Sequence, residues 1–170
     1  MKFQYRANKY VLLLLEKGNM IDLACGKGEL IKEADKKDIE VMGLDINKEN
    51  NPDIVHDLEK PLSLSNESFQ QVTCVDSMEH IKNISNLFSE VYRILKKNGT
   101  FILSIPNTKF YHHNHISYFT YKLIRQFISN SGLKKEKEIF FYFVPYLKMT
   151  IRVPFPFMAS HFVFKLRRRR

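Results

Sequence analysis

Residues Asn19 to Leu30 read Asn-Met-Ile-Asp-Leu-Ala-Cys-Gly-Lys-Gly-Glu-Leu, and they restrict the fold more tightly than any other stretch. Met20, Ile21, Leu23, Ala24 and Cys25 are apolar and broken only by Asp22, the pattern of a strand buried on both faces. Gly26 and Gly28 interrupt the run, and Glu29 to Lys37 resumes with helical spacing. Strand, glycine turn and helix in that order open a nucleotide-binding α/β unit. The turn then lies outside the carboxyl end of a strand, where such sheets hold ligands. The free N–H groups of the helix start face the same crevice.

The ligand follows from what departs from the dinucleotide pattern. A G-x-G-x-x-G fingerprint needs its third glycine for close helix packing under a pyrophosphate. Here the run is Gly26-Lys-Gly28-Glu-Leu-Ile31, with a bulky residue at that place and a carboxylate, Glu29, at the mouth. Both disfavour a pyrophosphate, and with it a nicotinamide dehydrogenase. A nucleoside carrying a cation and no phosphate fits better, and S-adenosylmethionine is such a molecule. A second strand, Glu40 to Ile46, contains Asp45, whose carboxylate can accept from ribose hydroxyls. Asp45 follows Gly26 by 45 − 26 = 19 positions, against the ~20 expected of a ribose-binding acid.

Ile21-Asp-Leu-Ala-Cys-Gly-Lys-Gly28 resembles the first motif of class I S-adenosylmethionine-dependent methyltransferases, hydrophobic-D-L-G-C-G-x-G. Asp57-Leu-Glu-Lys-Pro-Leu, Cys74-Val-Asp-Ser-Met-Glu-His-Ile81, Glu90 to Thr100 and Leu103-Ser-Ile-Pro-Asn107 are similar to later segments of that family, in the same order. The resemblance spans roughly residues 5 to 133 and is nearest the small, stand-alone enzymes that act on small or lipid-like acceptors. Three positions depart from it: Ala24 replaces a glycine, Gln71 an aspartate, and Lys97-Asn-Gly99 a Pro-Gly-Gly. The resemblance implies a Rossmann-like three-layer α/β sandwich, with a mostly parallel seven-stranded sheet whose last strand is antiparallel. It implies S-adenosyl-L-methionine as cofactor and a small-molecule or lipid-like methyl acceptor.

The residues outside those motifs agree with one domain over 1–170. Residues 4 to 17 read as a leading helix whose Val11, Leu12, Leu14 and Leu15 cover a sheet edge, with Gly18 ending it. Short strands are expected at Asp53–His56 and Gln71–Val75. Ile81, Ile84, Leu87, Phe88, Val91, Ile94 and Leu95 recur at helical spacing, and Lys96 and Lys97 close that helix against its dipole. Gly99 and Gly132 are placed to end helices in the left-handed conformation. Gly43 offers room for a ligand or backbone. Thr100–Ile105 is a buried strand, and Thr120 can cap a helix bearing Leu123, Ile124, Phe127 and Ile128. Two more strands are expected near Lys137–Val144 and His161–Leu166. Between them, Pro145, Pro154 and Pro156 among aromatics suit a lid, edge packing or a patch touching a membrane surface.

Charge narrows the partners. The net charge is +9, but Lys165 and Arg167 to Arg170 supply five positive charges. The 27 basic residues less these five leave 22 against 18 acidic, a net of +4, so no nucleic-acid surface is expected. The arginine run reads as a solvated tail or as a site for an anionic partner, the latter serving a non-catalytic protein of the same fold. Cys25 and Cys74 lie in apolar strands and read as free buried thiols of a reducing, cytoplasmic compartment.

By resemblance, Asp22 and the backbone at Ala24, Gly26 and Gly28 would hold the amino-acid end of the cofactor, with Cys25 adding packing and backbone. Asp45 would take the ribose and Ile46 the adenine face. Asp57 would accept from the adenine amino group while the Leu58 N–H meets a ring nitrogen. Asp76 and Ser77 would face the methyl group. Ordering the turn is the plain alternative for Asp22, though a carboxylate inside an apolar strand is costly without a purpose, and capping a helix is the alternative for Asp57. His112, His113 and His115 precede Ile116; their spacing suits zinc poorly, so no metal is expected. His115 is the candidate to orient substrate or act as a base, with loop hydrogen bonding the plain alternative. His80 suits capping as well as substrate contact.

Overall fold

The computed structural model describes residues 5–107, 117, 119–144, 146–147 and 149–169. Its elements are α1 (Tyr5–Leu12), β1 (Met20–Leu23), α2 (Glu29–Asp35), β2 (Val41–Asp45), β3 (Ile54–Val55), β4 (Phe69–Val75), α3 (Ile84–Ile94), β5 (Leu95–Pro106), α4 (Tyr121–Asn130), β6 (Leu133–Val144), β7 (Met149–Arg152) and β8 (His161–Arg168). One sheet runs in the order β3-β2-β1-β4-β5-β8-β6-β7. Neighbours from β3 to β5 are parallel, while β8 is antiparallel to β5 and β6, and β7 to β6. Six strands therefore point one way, and β7 and β8 oppose them.

The sheet has eight strands where seven were expected. The additional one, β7, lies in the proline- and aromatic-rich segment, where Thr150 and Ile151 favour extended backbone and pair with Phe143 and Tyr142. It is an exposed edge, consistent with edge packing in that segment.

Helices cover both faces, giving three layers. On one face α1 and α2 bury Ala7, Tyr10, Val11, Leu30 and Ala34 with Met20, Ile102 and Val163 of the sheet. On the other, Leu87, Phe88 and Val91 of α3 and Ile124 and Ile128 of α4 meet Phe101, Leu103 and Phe162. Thus α1 lies on a face near β5 and β8, not over an edge, because Ala7 and Tyr10 extend its apolar stripe beyond the leucines.

Caps and glycines explain several boundaries. Asn83 accepts from the Asn86 N–H at 3.1 Å, and Thr120 from the Leu123 N–H at 3.2 Å, starting α3 and α4. Helix α3 ends at Ile94, so Lys96 and Lys97 belong to β5, and Arg93 takes its last turn. Left-handed backbone falls on Asn98 (φ 60°), not Gly99. Gly99 is small for another reason: a Cβ there would lie 2.9 Å from the carbonyl oxygens of Gln70 and Lys96. Gly43 makes room for side chains, since a Cβ would meet Ile31 Cδ1 at 2.7 Å and Cys25 Sγ at 2.9 Å. The close approach that a third glycine would give on the helix is therefore supplied from β2.

Gln71 and the carboxyl-terminal basic residues are built into the sheet. Gln71 is fully buried and brackets the Glu16 backbone, donating to its carbonyl at 2.5 Å and accepting from its N–H at 2.7 Å. Lys165 reaches Glu16 at 2.6 Å, and Arg167 joins Glu16 and Glu136. Arg168 pairs with Glu67 at 2.9 Å and lies 4.6 Å from the centroid of Tyr92. Lys165, inside the expected strand, and Arg167 and Arg168, where a solvated run was expected, are accordingly sheet residues with carboxylate partners, because β8 continues to Arg168. That takes two of the four arginines out of the supposed free tail.

Candidate active site

The carboxyl ends of β1, β2 and β4 meet around a cavity of about 420 Å³, within the size range of small-molecule sites, ~300–1,000 Å³. Ala24, Gly26, Asp45, Ile46, Asp57, Leu58, Asp76 and Ser77 line it, together with His56, Glu59, His80 and Ile81. Eight of the eleven residues assigned to cofactor binding thus converge on one space, drawn from four separate segments. Asp22, Cys25 and Gly28 are not among the residues that line it. His112, His113 and His115 fall outside the described residues.

The turn after β1 is shaped by left-handed backbone at Ala24 (φ 57°), Gly26 (φ 56°) and Gly28 (φ 72°). It is tied to β2 by the Cys25 N–H on the Leu44 carbonyl, 3.0 Å, and by the Gly26 N–H on Asp45 Oδ2, 2.8 Å. Ala24 holds a conformation that costs a side-chain-bearing residue ~1–2 kcal/mol. We expect Ala24→Gly to raise the unfolding free energy by roughly 1 kcal/mol, offset in part by added unfolded-state entropy. Denaturant titration checks this, and a destabilised variant would contradict it.

Asp45 accepts three hydrogen bonds: Gly26 N–H on Oδ2, and on Oδ1 the Asn47 N–H at 2.8 Å and Asn50 Nδ2 at 3.3 Å. A carboxylate has about four acceptor sites, so one position on Oδ2 stays open and the Asn50 contact is weak enough to exchange. Asp57 Oδ1 accepts from the Glu59 N–H at 3.0 Å, ordering a turn instead of starting a helix. Glu59 in turn accepts from the Lys82 and Asn83 N–H groups, fixing the approach to α3.

Asp22 is buried within β1, and Thr73 Oγ1 donates to its Oδ1 at 2.6 Å. Burial, opposed by that hydrogen bond and reinforced by the charge of Asp45, raises its pKa to about 7. At the end of β4, Asp76 has φ 46° and Ser104 Oγ donates to its Oδ1 at 2.5 Å. Its Oδ2, Glu79 Oε2 and His56 Nε2 are buried with no hydrogen-bond partner among the described residues. Burial pushes Asp76 up to about 7 and Glu79 up to about 8, the Asp76 charge adding to the latter.

His56, Glu59 and Glu79 were absent from the sequence-based candidates. The neighbouring run His56-Asp57-Leu58-Glu59 was the available signal for the first two. Glu79 looked like a helix start, and Ile81 like the first residue of the α3 stripe, because a 3-10 turn at Met78–His80 interrupts the spacing.

Four acids and no lysine or arginine appear among the described residues lining the cavity. That wall suits a cationic nucleoside and repels a pyrophosphate. Residues 2–144 match the family described as the methyltransferase domain. The chain belongs to that methyltransferase family. A curated Bacillus subtilis (strain 168) protein named "Putative methyltransferase YqeM" is 28% identical over 111 residues, 56% of this chain and 45% of its own length. The chain thus spans less than half the length of that relative. Among solved structures, a SAM-dependent methyltransferase from Thermotoga maritima superposes with a TM-score of 0.78 at 17% identity, covering 98% of this chain and 89% of its own. One from Archaeoglobus fulgidus gives 0.76 at 17%, covering 96% and 92%. At these identities the likeness to the two structures is one of fold.

Proposed function

We propose that the protein is an S-adenosylmethionine-dependent methyltransferase acting on a small-molecule or lipid-like acceptor. The single observation that carries this is the acid-lined cavity pinned open by Asp45 between the β1 turn and β2. When bound, the cofactor supplies an already activated methyl group on a sulfonium. The chain's own part is to align the acceptor and exclude water. Asp45 receives the ribose hydroxyls, one on its open Oδ2 position and one in place of Asn50. Ile46 and the Leu58 N–H meet the adenine, and Asp57 accepts from its amino group. The backbone at Ala24 and Gly26 holds the amino-acid end, with Asp22, Cys25 and Gly28 supporting it. Asp76 and Ser77 face the reacting end.

An apolar acceptor is supported by exposed side chains at the same edge of the sheet. Strand β6 ends and β8 begins there, and Tyr146, Leu147, Phe155 and Phe157 are exposed in the connecting segments. These side chains also suit contact with a membrane surface. Among the described residues no helix is long and apolar enough to cross a membrane. Cys25 and Cys74 are free and buried, which supports a reducing, cytoplasmic setting.

The test is incubation of cell-extract fractions with methyl-labelled S-adenosylmethionine, followed by mass spectrometry of the species that gains a methyl group. We expect one small or lipid-like product. Label transferred to nothing, together with no calorimetric binding of the cofactor, would refute the assignment.

A further inference from the structure

We propose, resting on the methyltransferase assignment above, that Asp76 and Glu79 form one proton-holding pair at the acceptor end of the cavity. Asp76 takes the proton that a hydroxyl or neutral amine acceptor gives up on methylation. Glu79 is the positioning residue that sets the charge of Asp76.

The geometry leaves this pair one task unfilled. Asp76 lines the cavity, and its left-handed backbone is held by its N–H on the Ser104 carbonyl at 3.0 Å. Ser104 Oγ occupies Oδ1, so Oδ2 is the oxygen left without a partner among the described residues. Three residues later Glu79, 3% exposed, has a buried Oε2 that is likewise unpartnered. Its carbonyl accepts the Ser117 N–H at 3.0 Å, which anchors the turn.

Among the described residues, the ionisable groups around the pair are Cys74 of β4, Asp22 of β1, His80 beside Glu79, and Asp45, His56, Asp57 and Glu59 lining the cavity. None of these is lysine or arginine. With no lysine or arginine among the described residues around them, two carboxylates three residues apart, each with a buried and unpartnered oxygen, cannot both stay ionised, so the pair holds one proton and one negative charge. Burial raises both groups, to about 7 for Asp76 and about 8 for Glu79.

The transfer balances around that single charge. A lone pair of the acceptor forms the bond to the methyl carbon, and the carbon–sulfur bond breaks with its electrons left on sulfur. The acceptor's proton passes to Asp76 Oδ2, so the pair goes from one proton to two. Positive charge is lost at sulfur as negative charge is lost at the pair, and the buried site needs no solvent to compensate. The acceptor class follows: the attacked atom carries a proton, as in a hydroxyl or a primary or secondary amine.

The test uses the cofactor and its demethylated product, S-adenosylhomocysteine, without needing the acceptor. Calorimetric titration at about pH 7.5 in buffers of different ionisation enthalpy counts protons exchanged on binding. We expect the neutral product to draw in a sizeable fraction of one proton more than the cationic cofactor. Glu79→Gln and Asp76→Asn should each diminish the part due to the pair, because either change removes one of its two carboxylates. Gln is close to isosteric with Glu, and Asn tolerates left-handed backbone, so both variants should fold. A wild-type difference unchanged in both variants overturns the proposal. Infrared spectra of the ligand-free protein give a second reading: a protonated-carboxyl C=O band at neutral pH should weaken in Glu79→Gln while the Asp22 share persists. An unaltered band also overturns it. Failure of both ligands to bind would instead refute the cofactor assignment, with the infrared result still deciding whether the pair holds its proton.

Discussion

Asp45→Ala is expected to weaken binding of S-adenosylmethionine and of its demethylated product by about 100-fold or more. Hydrogen bonds to a charged group contribute ~1.5–3 kcal/mol each, and two ribose hydroxyls are at stake. The same carboxylate also accepts the Gly26 and Asn47 N–H groups. Its loss frees the turn after β1 as well as the ribose contact. A drop in thermal midpoint should therefore accompany the loss of affinity. Asp45→Asn separates the two effects, because its amide oxygen can still accept one of the N–H groups. Calorimetry on both variants is the check. Undiminished affinity in Asp45→Ala would place the nucleoside elsewhere.

The second large effect is a pH dependence of stability centred on Asp22. Its folded pKa is raised to about 7, chiefly by burial, while an unfolded aspartate titrates near ~3.9. Between those values the folded protein binds more protons than the unfolded chain, so stability falls as pH rises. The contribution is fully present below about pH 4, is lost progressively toward pH 7, and levels off above. Asp22→Asn cannot ionise. Between about pH 5 and pH 8 the wild-type protein should lose roughly 3 kcal/mol of unfolding free energy that the variant does not. Urea titrations at several pH values measure this, and identical slopes for the two proteins would rule it out. Asp76 and Glu79 slope the same way in both proteins and so cancel in the comparison.

Much of the candidate site was legible because its parts are local. The turn from Asp22 to Gly28 announces itself by two glycines between an apolar run and a helical one. Asp45 follows from strand spacing, and Thr120 from cap chemistry. Other residues were hidden because their roles depend on partners far along the chain. Gln71 looked like a lost aspartate but brackets the Glu16 backbone, 55 residues away. Arg167 and Arg168 looked like a tail until Glu16, Glu136 and Glu67 were brought beside β8. Strand β7 was concealed among prolines, since an exposed edge strand carries no buried alternation.

By itself, then, the sequence determined the alternation of strand and helix, the glycine turn, and the acid nineteen positions beyond it. These depend on local backbone preference and on hydrophobic spacing along a few residues. Only the tertiary structure decided that Asp22 is buried against Thr73, that Ile31 packs over Gly43, and that Asp76 and Glu79 each keep a buried oxygen without a partner among the described residues. Burial and charge coupling arise when distant segments exclude water together, and no spacing along the chain records which side chains will meet there.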